Sequence, residues 1–188
     1  MPAAIVPRDE VVRRLFGAFR THGYEGATLA RLSEATGLGR ASLYHYFPDG
    51  KEGMVREVLG VAREWIAANI AGPLARSGTP SARLKATIKN VIAGYEDGNA
   101  SCVCNLLGIG DAHAVTRDAL LQTATAFVRA FSGFFEECGM PPARAKDTAI
   151  ETVAQIEGAL VMARALDDHR IFAKRMDRLE KELLELVR

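Results

Sequence analysis

TLARLSEATGLGRASLYHYFPDGK, residues 28–51, holds two short helical patterns either side of a glycine-containing turn. Thr28 is a good N-cap for a first helix over Leu29 to Thr36, with Leu29, Leu32 and Ala35 spaced to face one side. Gly37 supplies the backbone angles of the turn, and Leu38 plugs the angle between the helices. A second helix runs from about Arg40 to Phe47. Pro48 ends it, because the residue before a proline avoids helical geometry.

At about 100° per residue, Leu43 and Phe47 share the inward side of this second helix. Ala41, Ser42 and His45 lie opposite, with Arg40 and Tyr44 on the flanks. Small residues first, then imidazole, phenol and guanidinium groups, suit a helix laid in a DNA major groove. There a small side chain permits close approach and a polar one reaches base edges or phosphates. Arg40, Ala41, Ser42, Tyr44 and His45 are therefore the candidate groove contacts. Thr28, Tyr46 and Lys51 are candidates for contacts that position the DNA backbone.

Thr28, Gly37, Leu43-Tyr44, Phe47 and Lys51-Glu52 stand in the order seen in the TetR family of bacterial transcriptional repressors, which the first third of the chain resembles. YHYFPDGKEGMV is most similar to the branch with a Gly inserted before the Lys. Gly39 departs from the pattern, standing where the family usually has a Ser that caps the recognition helix. The resemblance implies an all-α protein: an N-terminal three-helix helix-turn-helix domain joined by a long helix to a helical ligand-binding and dimerisation domain. The domains are placed at residues 1–50 and 51–188. It implies a homodimer on a palindromic double-stranded operator, released by a small effector. Two recognition helices would read half-sites roughly 34 Å, or a multiple of it, apart.

Outward from this motif, residues 1–7 read as a loose arm, and Arg8 to His22 as an amphipathic helix that Gly23 stops. Phe16 and Phe19 are its core plugs, and Arg8 is placed where it touches solvent or phosphate. A helix of about twenty residues follows from Glu52, ended by Gly72-Pro73. Others run from Thr79-Pro80 to Asp97-Gly98, briefly through NASCVCNLLGIGDAH, from Thr116 to Cys138, from Pro142 to Asp167 and from His169 to Val187.

Trp65, Ile66, Asn69, Ile92, Tyr95, Cys102, Cys104, Leu106 and Leu107 are the candidate wall of an effector cavity, with Gly108 leaving room. Such a wall takes a mainly apolar or aromatic molecule. Ile150, Val153, Ile156 and Leu160, with Phe172, Met176, Leu179 and Leu183, form the candidate dimer seam of the last two helices.

The net charge of +1 does not mark a general polyanion binder. Residues 1–63 carry nine Lys or Arg against seven Asp or Glu, a small excess in the direction that DNA binding requires. Three cysteines form no disulfide framework, and neither a signal peptide nor a membrane span is legible, which places the chain in the cytoplasm with no membrane partner. Cys102 and Cys104, followed by Asp111 and His113, invite a metal, but Cys-x-Cys on a helix points its sulfurs about 200° apart, so neither metal nor cofactor is expected. His22, His45, His113 and His169 are scattered, and no phosphate loop or nucleophile elbow accompanies them, so no enzyme is read. The alternatives are a helical protein-interaction module and a redox-sensing regulator using Cys102 and Cys104.

Overall fold

The computed structural model of the chain describes residues 6–107 and 112–187, residues 112–115 by their backbone alone. Residues 1–5 of the expected arm and the expected space at Gly108 lie outside the described residues. Ten α-helices occur among those described: α1 Arg8–Gly26, α2 Leu29–Thr36, α3 Arg40–Tyr46, α4 Gly50–Ile66, α5 Gly72–Ala75, α6 Pro80–Gly94, α7 Val103–Leu107, α8 Ala112–Glu137, α9 Pro142–Ala165 and α10 Arg170–Leu186. No strand occurs among them. The chain divides into two compact units, residues 1–62 with 103–123, and residues 63–102 with 124–188.

The first unit packs α1 to α3, most of α4, α7 and the start of α8 around one apolar core. Val11, Leu15 and Phe19 from α1 meet Leu32, Leu43, Phe47, Met54, Val58, Val103 and Leu107 there. Phe19 is a core plug as expected, whereas Phe16 is only half-buried. Gly23 breaks α1 as expected, with φ 65° and ψ −173°, a conformation that side chains resist. The chain then resumes one more turn to Gly26. On α2 the inward residues are Leu32 and Thr36, with Leu29 half-buried; Ala35, expected inward, is exposed.

In the second unit the helix that begins as α4 does not end at Gly72-Pro73. It widens into a π-turn over Ala67–Ala71, where Gly72 N–H bonds to Ala67 O, and continues as α5. Pro73 has no N–H for the carbonyl of Asn69, four residues earlier. That carbonyl accepts the side-chain Nδ2 of Asn90 on α6 at 2.9 Å, and Asn69 Nδ2 in turn donates to Trp65 O at 3.0 Å. The Asn90 amide thus supplies a side-chain donor at the irregular turn, and the helix continues past the proline.

α8 contributes Phe127, Phe131, Phe135 and Phe134, whose rings lie 5.7–6.3 Å apart in that order. Arg83 on α6 is 8% exposed and grips Glu137 through both guanidinium nitrogens at 2.6 Å. It also lies 5.1 Å from the ring of Phe134. The bidentate geometry lets a cation sit among aromatic rings with its charge met.

The α9–α10 pair corrects the expected dimer seam. Phe172, Met176, Leu179 and Leu183, together with Ile156 and Leu160, are buried within the chain itself. Helix α10 packs on α9 and α6, so its apolar stripe is consumed internally. Only Ile150, 45% exposed, and half-buried Val153 remain accessible from that expected set. Exposed instead on α9 and just after it are Ala154, Gly158, Val161, Met162 and Leu166.

Candidate nucleic-acid interface and effector residues

The position of α3 follows from contacts at both ends of the turn before it. The Thr28 hydroxyl accepts from Arg31 N–H at 3.4 Å and caps α2. Gly37 adopts φ 73°, the left-handed cap that closes α2, and its N–H donates to Ser33 O and Glu34 O. Arg14 of α1 donates to Thr36 O at 2.9 Å, which holds the C-terminus of α2 and with it the turn. Gly39 is the N-cap of α3 and offers no side-chain hydrogen bond, the consequence expected from the missing Ser.

Leu43 is fully buried and Phe47 nearly so, which fixes the roll of α3 about its axis. Arg40, Ala41, Ser42, Tyr44 and His45 are then all exposed, with Tyr44 at 47%. A seven-residue helix that buries one leucine and shows a phenol, an imidazole, a hydroxyl and a guanidinium has little to gain from solvent alone. Its chemistry matches a groove lined with donors, acceptors and phosphates.

The expected backbone-positioning residues divide. Thr28 is exposed and serves α2. Tyr46 is turned inward: its hydroxyl donates to Val6 O at 2.7 Å, and its ring packs at the edge of the first core. Lys51, in the first turn of α4, places Nζ 4.2 Å from the Tyr24 ring centroid. Its partial burial there lowers its pKa, partly offset by Glu25. The ammonium thus has a cation–π partner on α1.

Residues 15–58 match the family described as bacterial regulatory proteins, tetR family, and residues 68–177 match the LmrA/YxaF-like transcriptional regulator C-terminal domain. The chain belongs to the TetR family of transcriptional regulators. Among relatives, the HTH-type transcriptional regulator LmrA of Bacillus subtilis is 24% identical over 165 residues, 83% of this chain and 85% of that protein. The HTH-type transcriptional repressor AcnR of Corynebacterium glutamicum is 46% identical over 57 residues, 30% of this chain and 28% of that protein. A TetR transcriptional regulator from Legionella pneumophila shares the fold at TM-score 0.82 and 14% identity, over 96% of this chain and 98% of that one. A cysteine mutant of CifR complexed with 26-bp double-strand operator DNA shares it at TM-score 0.76 and 22% identity, over the same shares. This TetR-family chain is thus a DNA-binding transcriptional regulator.

The expected effector residues of this TetR regulator are split between its two units. Trp65, Ile66, Asn69, Ile92, Tyr95 and Cys102 belong to the second; Cys104, Leu106 and Leu107 belong to the first, where Leu107 is part of the core and Cys104 packs against it. Trp65 lies 6.0 Å from Tyr95, which lies 6.1 Å from Phe172. Asn69 donates from its Nδ2 to Trp65 O and accepts from Asn90 at its own carbonyl in the π-turn. Glu157 of α9 is the residue missed in the sequence. Burial raises its carboxyl pKa from 4.5 to about 9, Cys102 adds to the rise, and a hydrogen bond with Tyr95 opposes it. Its signal was available: Val153, Glu157 and Leu160 follow a spacing of four and three that puts a carboxylate on the inward stripe of α9.

Cys102 is buried beside Glu157, while Cys104 falls in the other unit. Asp111 and the side chain of His113 lie outside the described residues. Among those described, no three potential metal ligands gather. No described helix is long and apolar enough to cross a membrane.

Proposed function

We propose that this regulator is a homodimeric repressor that reads a near-palindromic operator with α3 and is released by a small, mainly apolar effector. The observation that carries the reading is the outward face of α3: five non-core positions, Arg40, Ala41, Ser42, Tyr44 and His45, exposed around a buried Leu43. Arg40, Ser42, Tyr44 and His45 reach base edges, and Ala41 permits the approach. AcnR, named a repressor, is 46% identical to this chain over 57 residues, and the cysteine-substituted CifR was captured on operator DNA. Both support the reading.

A single helix-turn-helix reads too few bases, so two copies pair. The second copy is placed on the outward side of α9, where Ile150, Ala154, Gly158, Val161, Met162 and Leu166 leave apolar surface beside small residues. An open groove of about 680 Å³ lined by Val128, Ser132, Pro142 and Ile150 continues that surface. The effector is assigned to the second unit, near Trp65, Ile92, Tyr95 and Cys102, where it biases the course of α4 and hence the separation of the two readers.

Selection of duplexes from a random pool, followed by Tyr44→Ala on the selected site, tests the DNA face. A loss of about 1–3 kcal/mol in specific binding is expected; unchanged affinity rejects the assignment. Titration of a compound library against the protein on that duplex tests the effector, and absence of any compound that both binds and releases DNA rejects it.

A further inference from the structure

α3 is only seven residues long, so few backbone bonds resist its tilting, and its last carbonyls have no intrahelical donor. One side chain meets both needs. Arg8 Nη1 donates to Tyr46 O, the final carbonyl of α3, at 2.7 Å. Its Nη2 lies 3.1 Å from Glu57 Oε1 on α4, and its Cζ stands 4.8 Å over the Phe47 ring. Tyr46 closes the link from the other direction, through its hydroxyl to Val6 O.

We infer that Arg8 is a positioning residue for DNA reading: it clamps the C-terminus of α3 to the start of α1 and to α4, and is not itself a phosphate ligand. The inference rests on the proposed reading of DNA by α3. A planar fork can hold a carbonyl, a carboxylate and a ring face together, which an ammonium cannot. Its charge also complements the negative end of the α3 dipole. The Glu57 carboxylate already faces the guanidinium, so a phosphate would have to displace it. The first turn of α1 was expected to offer Arg8 to solvent or phosphate; Arg8 is exposed, and its guanidinium also meets three partners on two segments, the end of α3 and α4.

Glu57 makes the inference testable by sign. If Arg8 merely neutralised phosphate, removing the nearby carboxylate in Glu57→Ala would strengthen DNA binding. If Arg8 is held by Glu57 to steady α3, the same change weakens specific binding. The full chain and Arg8→Ala, Arg8→Lys and Glu57→Ala variants are titrated with a duplex selected from a random pool by the unaltered protein, and with a scrambled duplex, across a salt series. Thermal unfolding is followed in parallel.

Expected are a roughly tenfold loss on the selected duplex for both Arg8 variants and a smaller loss for Glu57→Ala. Binding to the scrambled duplex stays within about twofold and the slope of log K against log salt is unchanged. A general loss of fold would lower both duplexes together and overturns the inference. So does recovery by Arg8→Lys with a salt slope smaller by about 0.9 for Arg8→Ala, the mark of a lost phosphate contact. Tighter binding by Glu57→Ala, or no change with any variant, also overturns it. If the unaltered protein selects no duplex at all, the DNA reading fails first and is recognised as such.

Discussion

Replacing Asn90 by Ala removes the donor that Pro73 makes necessary. The Asn69 carbonyl then faces a part-buried site with the donor at position 73 absent and the side-chain amide at 2.9 Å gone. A buried carbonyl left without a partner costs about 1–3 kcal/mol, and partial burial puts this one near the lower half of that range. Alanine recovers about 0.5 kcal/mol through its better helix propensity in α6. The net loss is about 1 kcal/mol, or roughly 2–4 °C in Tm for a chain of this length. Asn90→Asp, nearly isosteric, sets a carboxylate against the carbonyl and costs more than Ala.

The decisive arm is Pro73→Ala, which restores an N–H four residues after Asn69. In that background Asn90→Ala should cost at least about 0.7 kcal/mol less than in the native one, a coupling that urea unfolding of all four proteins measures. The effect of losing proline's stiffness in the unfolded chain cancels in the cycle. Equal losses in both backgrounds would refute the claim that the amide substitutes for the proline's missing donor.

Gly94→Ala should destabilise by about 1–3 kcal/mol, because a Cβ there would sit 2.1 Å from Trp65 Cζ2, and indole fluorescence should report the displaced ring; native emission and stability would exclude that close packing. Glu157 holds a proton in the folded chain between pH 4.5 and about 9 that the unfolded chain has released. Its folded pKa is raised, so stability falls as pH rises through that window and levels above it. Glu157→Gln should flatten this slope in urea midpoints, and an unaltered slope would mean that the carboxyl is ionised in the fold. Val161→Asp, a charge on the exposed side of α9, should give monomers in sedimentation with native helix content and weaken operator binding; dimers that persist would move the pairing surface elsewhere.

The nearest-neighbour chemistry of residues 28–51 determined the recognition unit without help from the rest of the chain. A threonine cap, a left-handed glycine and a proline stop act within a few residues, so α2, its turn and α3 were legible, as was the outward side of α3 once Leu43 and Phe47 were placed inward. Gly39 likewise announced the missing cap. Longer-range choices were not legible. The stripe of Phe172, Met176, Leu179 and Leu183 specifies that a helix covers it, but not whether that helix comes from the same chain; α6 and α9 do. Gly72-Pro73 reads as a stop because the local signal cannot show that Asn90, 21 residues away from Asn69, supplies the donor. The partners of Arg8 and Tyr46 are not legible until the fold brings residues 6–8, 46–47 and 57 together and joins them by hydrogen bonds. Local sequence sets which backbone shapes and which faces are favourable; only the tertiary structure decides which partner satisfies each exposed donor, acceptor or apolar stripe, because those partners are far apart in the chain.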